Sequence, residues 1–188
     1  MPLTKATFRK KCLKKIKNNT KHNKFYKDSL LNLKLFKELS DCRGKKVLFY
    51  YPLHFEADIT KTMNKLRKRC DVFVPFMQGE SFKMVPFRLP LKQNKFGIFE
   101  AGNSLKKINN IDIAIVPAVG VDMNLQRVGF GKGMYDRFFA KLKKKPYTIF
   151  IQSEFCYTNK SVCDSYDVSC DLLLTSKVRL VKKRKYGC

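Results

Sequence analysis

Glycines and charged side chains are concentrated in one segment of the chain, where they could bind an anion. Four of the nine glycines lie between positions 120 and 133, and residues 129–133 have the sequence GFGKG. Glycine lets a backbone come close to a ligand and adopt positive φ without a steric clash. Lys132 and Arg127 add positive charge, and Asp136 could hold a hydrated Mg²⁺. These residues predict a phosphate-and-metal site; the alternative is a strand-to-helix turn whose charges are simply exposed.

The residues on either side of the glycines predict the elements that must position them. Residues 111–116 form a nearly uninterrupted apolar run, with Asp112 as the exception, and Pro117 closes it. This pattern is typical of a strand buried on both faces. After the glycines, Met134, Phe138 and Leu142 recur with helical spacing. The start of such a helix presents unpaired N–H groups and the positive end of its dipole to an anion. The segment is therefore predicted to be a strand, a glycine-rich loop and a helix.

Two widespread phosphate-binding motifs do not fit this loop. The Walker motif requires Ser or Thr after its lysine and a glycine at position 126, where this chain has Gly133 and Gln126. The dinucleotide-binding motif requires a glycine at position 134, which is Met134 here. The loop is therefore of another kind.

The sequence DMNLQRVGFGKGMYDR, residues 122–137, contains enough specific residues to indicate a family. It resembles the signature of the 5-formyltetrahydrofolate cyclo-ligases, also called 5,10-methenyltetrahydrofolate synthetases. The matching residues are Pro117, Asp122, Arg127, Gly129, Gly131, Gly133, Tyr135, Asp136 and Arg137. The departures are Ala118, Val121, Gln126 and Met134. The similarity extends more weakly over nearly the whole chain.

This resemblance implies an enzyme that closes a ring at the expense of ATP. The reaction would convert 5-formyltetrahydrofolate into 5,10-methenyltetrahydrofolate by phosphoryl transfer to the formyl oxygen, with release of ADP and phosphate. The resemblance implies that Lys132, Arg127 and Tyr135 act on the reacting groups and that Asp136 holds Mg²⁺. The implied ATP-binding residues are Lys5, Arg9, Gly129, Gly131, Lys132, Gly133, Met134 and Tyr135. From the residues alone, Lys5 and Arg9 would be solvated charges on a helix.

The resemblance also implies which residues contact the folate. Glu56 would bind the pterin ring, because a carboxylate can accept two parallel N–H bonds. Asp58 is the alternative for this role, although it suits the start of a helix equally well. Glu100 and Gln152 are implied at the same cleft, with Ala101 standing where the family has proline. The length of the substrate's polyglutamate chain is left open.

The net charge of +25, from 40 Lys and Arg against 15 Asp and Glu, allows a different class of function. A strongly basic chain could bind nucleic acid. However, the sequence lacks an aromatic RNA-binding pattern or a GxxG clamp, and lysine-rich solvated faces would give the same charge. We therefore expect no nucleic-acid partner. A third alternative is a relative that keeps the fold but has lost activity, given Ala101, Ala118 and Met134.

The cysteines predict a reducing compartment. Seven are present, an odd number without a CxxC pair, and only His22 and His54 could join them in a zinc site. We expect free thiols in a cytoplasmic protein. No apolar segment approaches 18 residues, so we expect no membrane attachment, and we expect a monomer.

Alternating strands and helices predict one α/β domain over residues 1–188, with a mostly parallel open sheet covered by helices on both faces. Helices are expected at 5–17, 26–39 and 60–69, the first two within an N-terminal helical segment, 1–40. The first would carry Phe8, Cys12 and Ile16 on one stripe, and the second would have Leu30, Leu33 and Leu35 or Phe36 as its apolar residues. Further strands are expected at 47–51, 71–77, 82–89, 147–152 and 170–175. The 82–89 strand would be an edge or irregular strand, because it contains Pro86 and is followed by Pro90. The basic tail, 177–188, is expected to be exposed and could be disordered.

Overall fold

The structure is a computed structural model that describes residues 2–19, 23–93, 99–104, 108 and 110–182. The helices are α1 (Lys5–Asn19), α2 (Lys24–Glu38), α3 (Thr60–Leu66) and α4 (Met134–Ala140). The strands are β1 (Lys46–Leu48), β2 (Asp71–Gln78), β3 (Ser81–Pro86), β4 (Lys92–Gln93), β5 (Phe99–Glu100), β6 (Ile113–Pro117), β7 (Gly120–Val121), β8 (Arg127–Val128), β9 (Tyr147–Ile151), β10 (Leu172–Leu174) and β11 (Arg179–Val181).

A seven-stranded sheet forms the centre of the molecule, in the order β11-β10-β9-β6-β1-β2-β3. Its five inner strands run parallel, and β3 and β11 pair antiparallel at the two edges. The predicted mostly parallel sheet is confirmed, as is the edge position of the proline-containing β3. Two small sheets, β4-β5 and β7-β8, lie outside the central sheet.

The inner strands are buried on both faces because their residues alternate between two apolar clusters. In β6, Ile113 and Ile115 pack in the cluster that contains the buried residues of α2 and α3. Ala114 and Val116 pack on the opposite face with Phe138 of α4. Successive side chains of a strand point to opposite faces, so this uninterrupted apolar run places helices on both sides of the sheet, as predicted.

The first two helices differ in how well their buried faces could be predicted. In α1, Phe8, Cys12 and Ile16 form the buried stripe expected from their spacing. In α2 the expectation is wrong for Leu33, which is 65% exposed. Leu35 is buried as expected, and Leu31, which was not expected, is buried with it against the sheet. The segment is rich in leucine, so its sequence is compatible with more than one apolar face.

Part of the basic tail forms a strand. Residues Arg179–Val181 form β11 and pair with β10, and the Arg179 guanidinium forms an ion pair with Glu38 of α2 at 2.7 Å. Residues 183–188 lie outside the described part of the chain. Residues 179–181 are therefore ordered, because β10 offers them an open edge.

The expectation that every cysteine is a free thiol is also wrong. Disulfides join Cys12 to Cys156 and Cys42 to Cys70, with Cα–Cα distances of 5.8 and 6.0 Å. Such Cα separations are within the usual range for a disulfide. The partners are 144 and 28 residues apart in sequence, so only the folded chain brings them together. The first disulfide attaches α1 to the loop that follows β9.

In the described part of the chain, no helix has the length and apolar character needed to cross a membrane.

Gly120 allows α1 to pack closely on β7, and this contact can be tested. An alanine Cβ at position 120 would lie 2.8 Å from Phe8 Cε1 and 2.9 Å from Cys12 Sγ. We expect Gly120→Ala to lower the free energy of unfolding by about 1–3 kcal/mol, the usual cost of overpacking a core, in urea denaturation. The matched control is Gly102→Ala, because nothing lies within 4 Å of its added Cβ. Equal stability of the two variants would contradict the close packing of α1.

Candidate active site

A cavity of about 630 Å³ lies at the carboxyl ends of β1 and β6. These strands are neighbours, and the sheet continues from β1 to β2 on one side and from β6 to β9 on the other. In open α/β sheets, ligands bind where the strand order reverses in this way. Six of the predicted site residues line the cavity: Glu56, Arg127, Lys132, Gly133, Met134 and Tyr135.

A small hairpin, β7-β8, separates β6 from the glycine-rich loop, which corrects the predicted direct passage from strand to loop. Asp122 holds the hairpin in place from a fully buried position. Its Oδ1 accepts hydrogen bonds from the N–H groups of Asn124 and Gln126, and its Oδ2 from those of Val162 and Cys163. Asp122 therefore organises the backbone beside the cavity.

Arg127 places a guanidinium group inside the molecule at the wall of the cavity. The residue is only 6% exposed, and its Nε donates a hydrogen bond to Pro117 O at 2.8 Å. Its Cζ lies 4.8 Å from the centroid of the Tyr135 ring. Burial lowers the pKa of Arg127, while Tyr135, Asp136 and Glu56 act in the opposite direction.

Gly129 leaves room for this guanidinium. A Cβ at position 129 would lie 2.4 Å from Arg127 Nη1, a distance at which one of the two must move. The glycine therefore serves the packing of Arg127, a role that the sequence pattern did not reveal.

The other two glycines of the loop allow turns that few other residues adopt. Gly131 has φ of +105° and Gly133 has φ of +59°, values in the region that favours glycine. Helix α4 begins directly after Gly133 and ends at Ala140 after seven residues, before Leu142. A helix this short contributes a weak dipole, so attraction of an anion depends mainly on the nearby side-chain charges.

Helix α1 brings Arg9 and Lys5 to the same region. Arg9 Nε donates a hydrogen bond to Gly129 O at 2.8 Å. Lys5 Nζ forms ion pairs with Asp167 and, at 3.2 Å, with Asp164. Burial lowers the pKa of Lys5, but these hydrogen bonds outweigh burial and the net shift is upward. Arg9 thus contacts the glycine-rich loop, whereas Lys5 is held by two carboxylates that the sequence did not assign to the site.

Glu56 is the acid that faces the cavity. Its Oε2 accepts a hydrogen bond from Leu53 N at 2.9 Å, and burial raises the pKa of its carboxyl group to about 7. Asp58 has a local role instead, because its Oδ1 accepts hydrogen bonds from the N–H and hydroxyl of Thr60 at the start of α3. Of the two alternatives, Glu56 is the one that lines the cavity.

Asp136 is half-buried at the start of α4, and its Oδ1 accepts a hydrogen bond from Val168 N at 3.2 Å. Asp136 and the adjoining Asp167 both oppose the lowering of the Arg127 pKa, so both carboxylates lie near that guanidinium. In the described ranges, no group of three or more His, Cys, Asp and Glu side chains could enclose a metal ion. Mg²⁺ usually needs only one or two carboxylates beside phosphate oxygens and water, and Asp136 with Asp167 fits that requirement.

The structure gives Gln152 a different position from the one expected. It is fully buried, its Nε2 donates to Cys156 O and its Oε1 accepts from Cys156 N. Its amide therefore holds the loop after β9 and does not line the cavity. Glu100 lies in β5, paired with Lys92 of β4; its side chain is outside the described part, as are residues 94–98.

Sequence reasoning missed the aromatic side chains that line the cavity, and it assigned no role to Arg137, which also lines it. Tyr50, Tyr51, Phe55, Phe82, Phe99 and Phe130 line its walls. The rings of Phe55 and Phe130 are 4.8 Å apart, which brings the glycine-rich loop against the segment that carries Glu56. These aromatics lie on strands and irregular segments far apart in sequence, so no local spacing predicted that they meet. For Arg137 the only signal was its place in the signature.

The chain resembles proteins of one family over nearly its whole length. The model of the 5-formyltetrahydrofolate cyclo-ligase family matches residues 3–176. The 5-formyltetrahydrofolate cyclo-ligase of Mycoplasma pneumoniae is 26% identical over 177 residues, which cover 93% of this chain and 100% of the relative.

Solved structures give the same result for the fold. The NMR structure of Aquifex aeolicus 5,10-methenyltetrahydrofolate synthetase superposes with a TM-score of 0.76 at 25% identity, covering 99% of this chain and 97% of the other. The structure of a 5,10-methenyltetrahydrofolate synthetase from Mycoplasma pneumoniae gives a TM-score of 0.71 at 22% identity, covering 93% and 100%.

The contact between Gly129 and Arg127 gives a test of the site. Gly129→Ala would place its Cβ 2.4 Å from Arg127 Nη1, and the guanidinium would have to leave its position. We expect affinity for a nucleoside triphosphate to fall about 10-fold to 100-fold, the usual worth of a charged hydrogen-bond donor, by isothermal titration calorimetry. Gly102→Ala should bind like the unmodified chain. Unchanged affinity in Gly129→Ala would show that this position of Arg127 is not needed for the nucleotide.

Proposed function

This chain belongs to the 5-formyltetrahydrofolate cyclo-ligase family, and we propose that it catalyses the ATP-dependent cyclisation of 5-formyltetrahydrofolate to 5,10-methenyltetrahydrofolate. The observation that carries the proposal is the single cavity at the ends of β1 and β6. It is lined by Glu56 and aromatic rings on the side of β1, and by Arg127 and Lys132 on the side of the glycine-rich loop. A folate and the terminal phosphates of ATP would therefore meet in one space.

The chemistry requires activation of the formyl oxygen, which is a poor leaving group. Transfer of the γ-phosphoryl group from ATP to that oxygen releases ADP and gives a phosphorylated imidate. Attack by N10 on the formyl carbon then closes the ring, N10 loses its proton, and phosphate departs with the former formyl oxygen. Such a reaction depends on positioning and on stabilisation of the phosphoryl charge.

The residues that would stabilise this charge surround the glycine-rich loop. Lys132 would contact the β- and γ-phosphates, and the preorganised Arg127 guanidinium would face the transferred group. Gly131 and Gly133 would offer backbone N–H groups, with Met134 beside them. Arg9 would extend the positive charge from α1. Burial raises the pKa of Tyr135 above the usual value for tyrosine. Its hydroxyl therefore keeps its proton at neutral pH and would donate a hydrogen bond to substrate.

Two further roles involve carboxylates. Asp136, with Asp167 beside it, would hold Mg²⁺. The ion, when bound, supplies neutralisation of charge on the phosphate oxygens. Glu56 would accept N–H bonds from the pterin ring, and the aromatic walls would cover its faces. We expect the protein to act as a monomer, and the substrate's polyglutamate length is left open.

The direct test is to mix the purified chain with Mg-ATP and 5-formyltetrahydrofolate and to follow the absorbance of the methenyl product together with ADP and phosphate. We expect the three products in equal amounts. If they do not form, while the chain binds RNA with an affinity that falls steeply with salt, its positive charge serves nucleic acid and the proposed function is wrong.

The raised pKa of Glu56 predicts a pH dependence of folate binding. The carboxyl group titrates near pH 7, and only the ionised form accepts two N–H bonds. We therefore expect the affinity for 5-formyltetrahydrofolate to rise between pH 6 and pH 8, measured calorimetrically without nucleotide. Glu56→Gln should bind more weakly at pH 8 and lose this dependence.

Stability should show the opposite dependence on pH. The pKa of Glu56 is higher in the folded chain than its usual 4.5, so ionisation costs stability as the pH rises from 4.5 to 7. Glu56→Gln should therefore have a higher melting temperature than the unmodified chain at pH 8.

For folate binding, an affinity that varies with pH in the same way in Glu56→Gln and in the unmodified chain would exclude Glu56 from the pterin site.

The role of Asp136 can be tested in the same assay. Asp136→Asn keeps the size of the side chain but removes the charge, so we expect turnover to fall at least about 100-fold in a chain that still folds. The control is Asp41→Asn, an exposed acid in the segment between α2 and the amino end of β1, whereas the cavity lies at the carboxyl end of that strand. Near-normal turnover of Asp136→Asn at low Mg²⁺ concentration would exclude it as the Mg²⁺ ligand.

A further inference from the structure

We propose that Arg137 is a positioning residue for the ring-closing reaction, because its guanidinium ties the glycine-rich loop to the turn between β2 and β3. This inference rests on the proposed function, because Arg137 would act by fixing the position of Lys132. The two segments joined by Arg137 both line the cavity: residues 79 and 80 from the turn, and residues 132–134 from the loop.

The hydrogen bonds of Arg137 reach backbone carbonyl groups of both segments. Its Nε donates to Glu80 O at 2.9 Å, and its Nη2 also donates to Glu80 O. The same Nη2 donates to Lys132 O at 2.5 Å. One side chain thus fixes the backbone of Lys132 relative to β2 and β3, which are part of the central sheet.

Gly133 leaves room for the Arg137 guanidinium, because it has no side chain. Arg137 lies in the first turn of α4, and its side chain turns back across the start of the helix. A Cβ at position 133 would lie 3.1 Å from Arg137 Nη1, closer than most real contacts of a Cβ atom. Gly133 therefore has two reasons to lack a side chain, its φ of +59° and the passage of Arg137.

The bridge bears on catalysis because it ties the backbone of Lys132 to the turn between β2 and β3. Ser81 Oγ donates to Met134 O at 3.2 Å, which is a second and weaker link between the same segments. Arg137 is itself exposed, so water can replace its hydrogen bonds and its loss should cost little stability. Misplacement of a reacting group by about 1 Å can nevertheless reduce a rate about 100-fold.

Arg137 also lines the cavity, so a direct charge contact with substrate is the competing explanation. Lysine separates the two explanations. It keeps the positive charge, but it lacks the planar fork that donates to two carbonyl groups at once. A bridging role therefore predicts that Arg137→Lys behaves like Arg137→Ala, whereas a charge role predicts that lysine restores activity.

The experiment compares Arg137→Ala, Arg137→Lys and the control Arg179→Ala in the cyclisation assay, with melting temperatures for all. Arg179 is an exposed arginine at the far edge of the sheet, paired with Glu38. We expect both Arg137 variants to lose about 10-fold to 100-fold in kcat, with melting temperatures close to that of the unmodified chain. Arg179→Ala should keep full turnover. Added guanidinium ion at millimolar concentration should partly restore kcat of Arg137→Ala.

Three outcomes would overturn the inference. Full turnover of Arg137→Ala would show that the bridge is not needed, and restoration by lysine would make Arg137 a charge contact. A loss that follows the melting temperature and resists guanidinium would make it a purely structural residue. Failure of the unmodified chain to turn over would instead overturn the proposed function, and this inference with it.

Discussion

The buried guanidinium of Arg127 is the interaction on which the arrangement of the site depends. Burying a charge is costly unless it is hydrogen-bonded and compensated. Here the carbonyl of Pro117, the ring of Tyr135 and nearby carboxylates compensate it. These partners come from the end of β6 and from α4, while Gly129 leaves the space that the group occupies. The strand end, the loop and the helix are thereby fixed around one positive charge.

The same cavity contains an acid, Glu56, whose charge depends on pH near neutrality. Burial raises the pKa of Glu56 to about 7, so this carboxyl group changes charge near neutral pH, whereas Arg127 remains positive. A folate with N–H donors at its pterin edge would favour the ionised carboxylate, and phosphate would favour the guanidinium. The cavity therefore has an acid that titrates near neutral pH on one side and a permanent positive charge on the other.

Helix α1 is part of the site although it lies outside the central sheet. Its apolar stripe packs on β7 and β8, Arg9 bonds to the glycine-rich loop, and Cys12 is joined to Cys156. Gln152 holds the loop that carries Cys156. Helix α1 and the segment after β9 are thus joined by a disulfide whose cysteines are 144 residues apart in sequence. Together they support the position of the glycine-rich loop.

The sequence by itself determined the parallel sheet, the edge position of β3 and the place of the glycine-rich segment before α4. Apolar runs, prolines and glycines act through neighbouring residues, so their effect is visible in sequence. The buried face of α2, the disulfides, the position of Gln152 and the role of Gly129 were decided only by the tertiary structure. Each of these depends on which distant segment packs against the residue, and a one-dimensional pattern does not specify that partner.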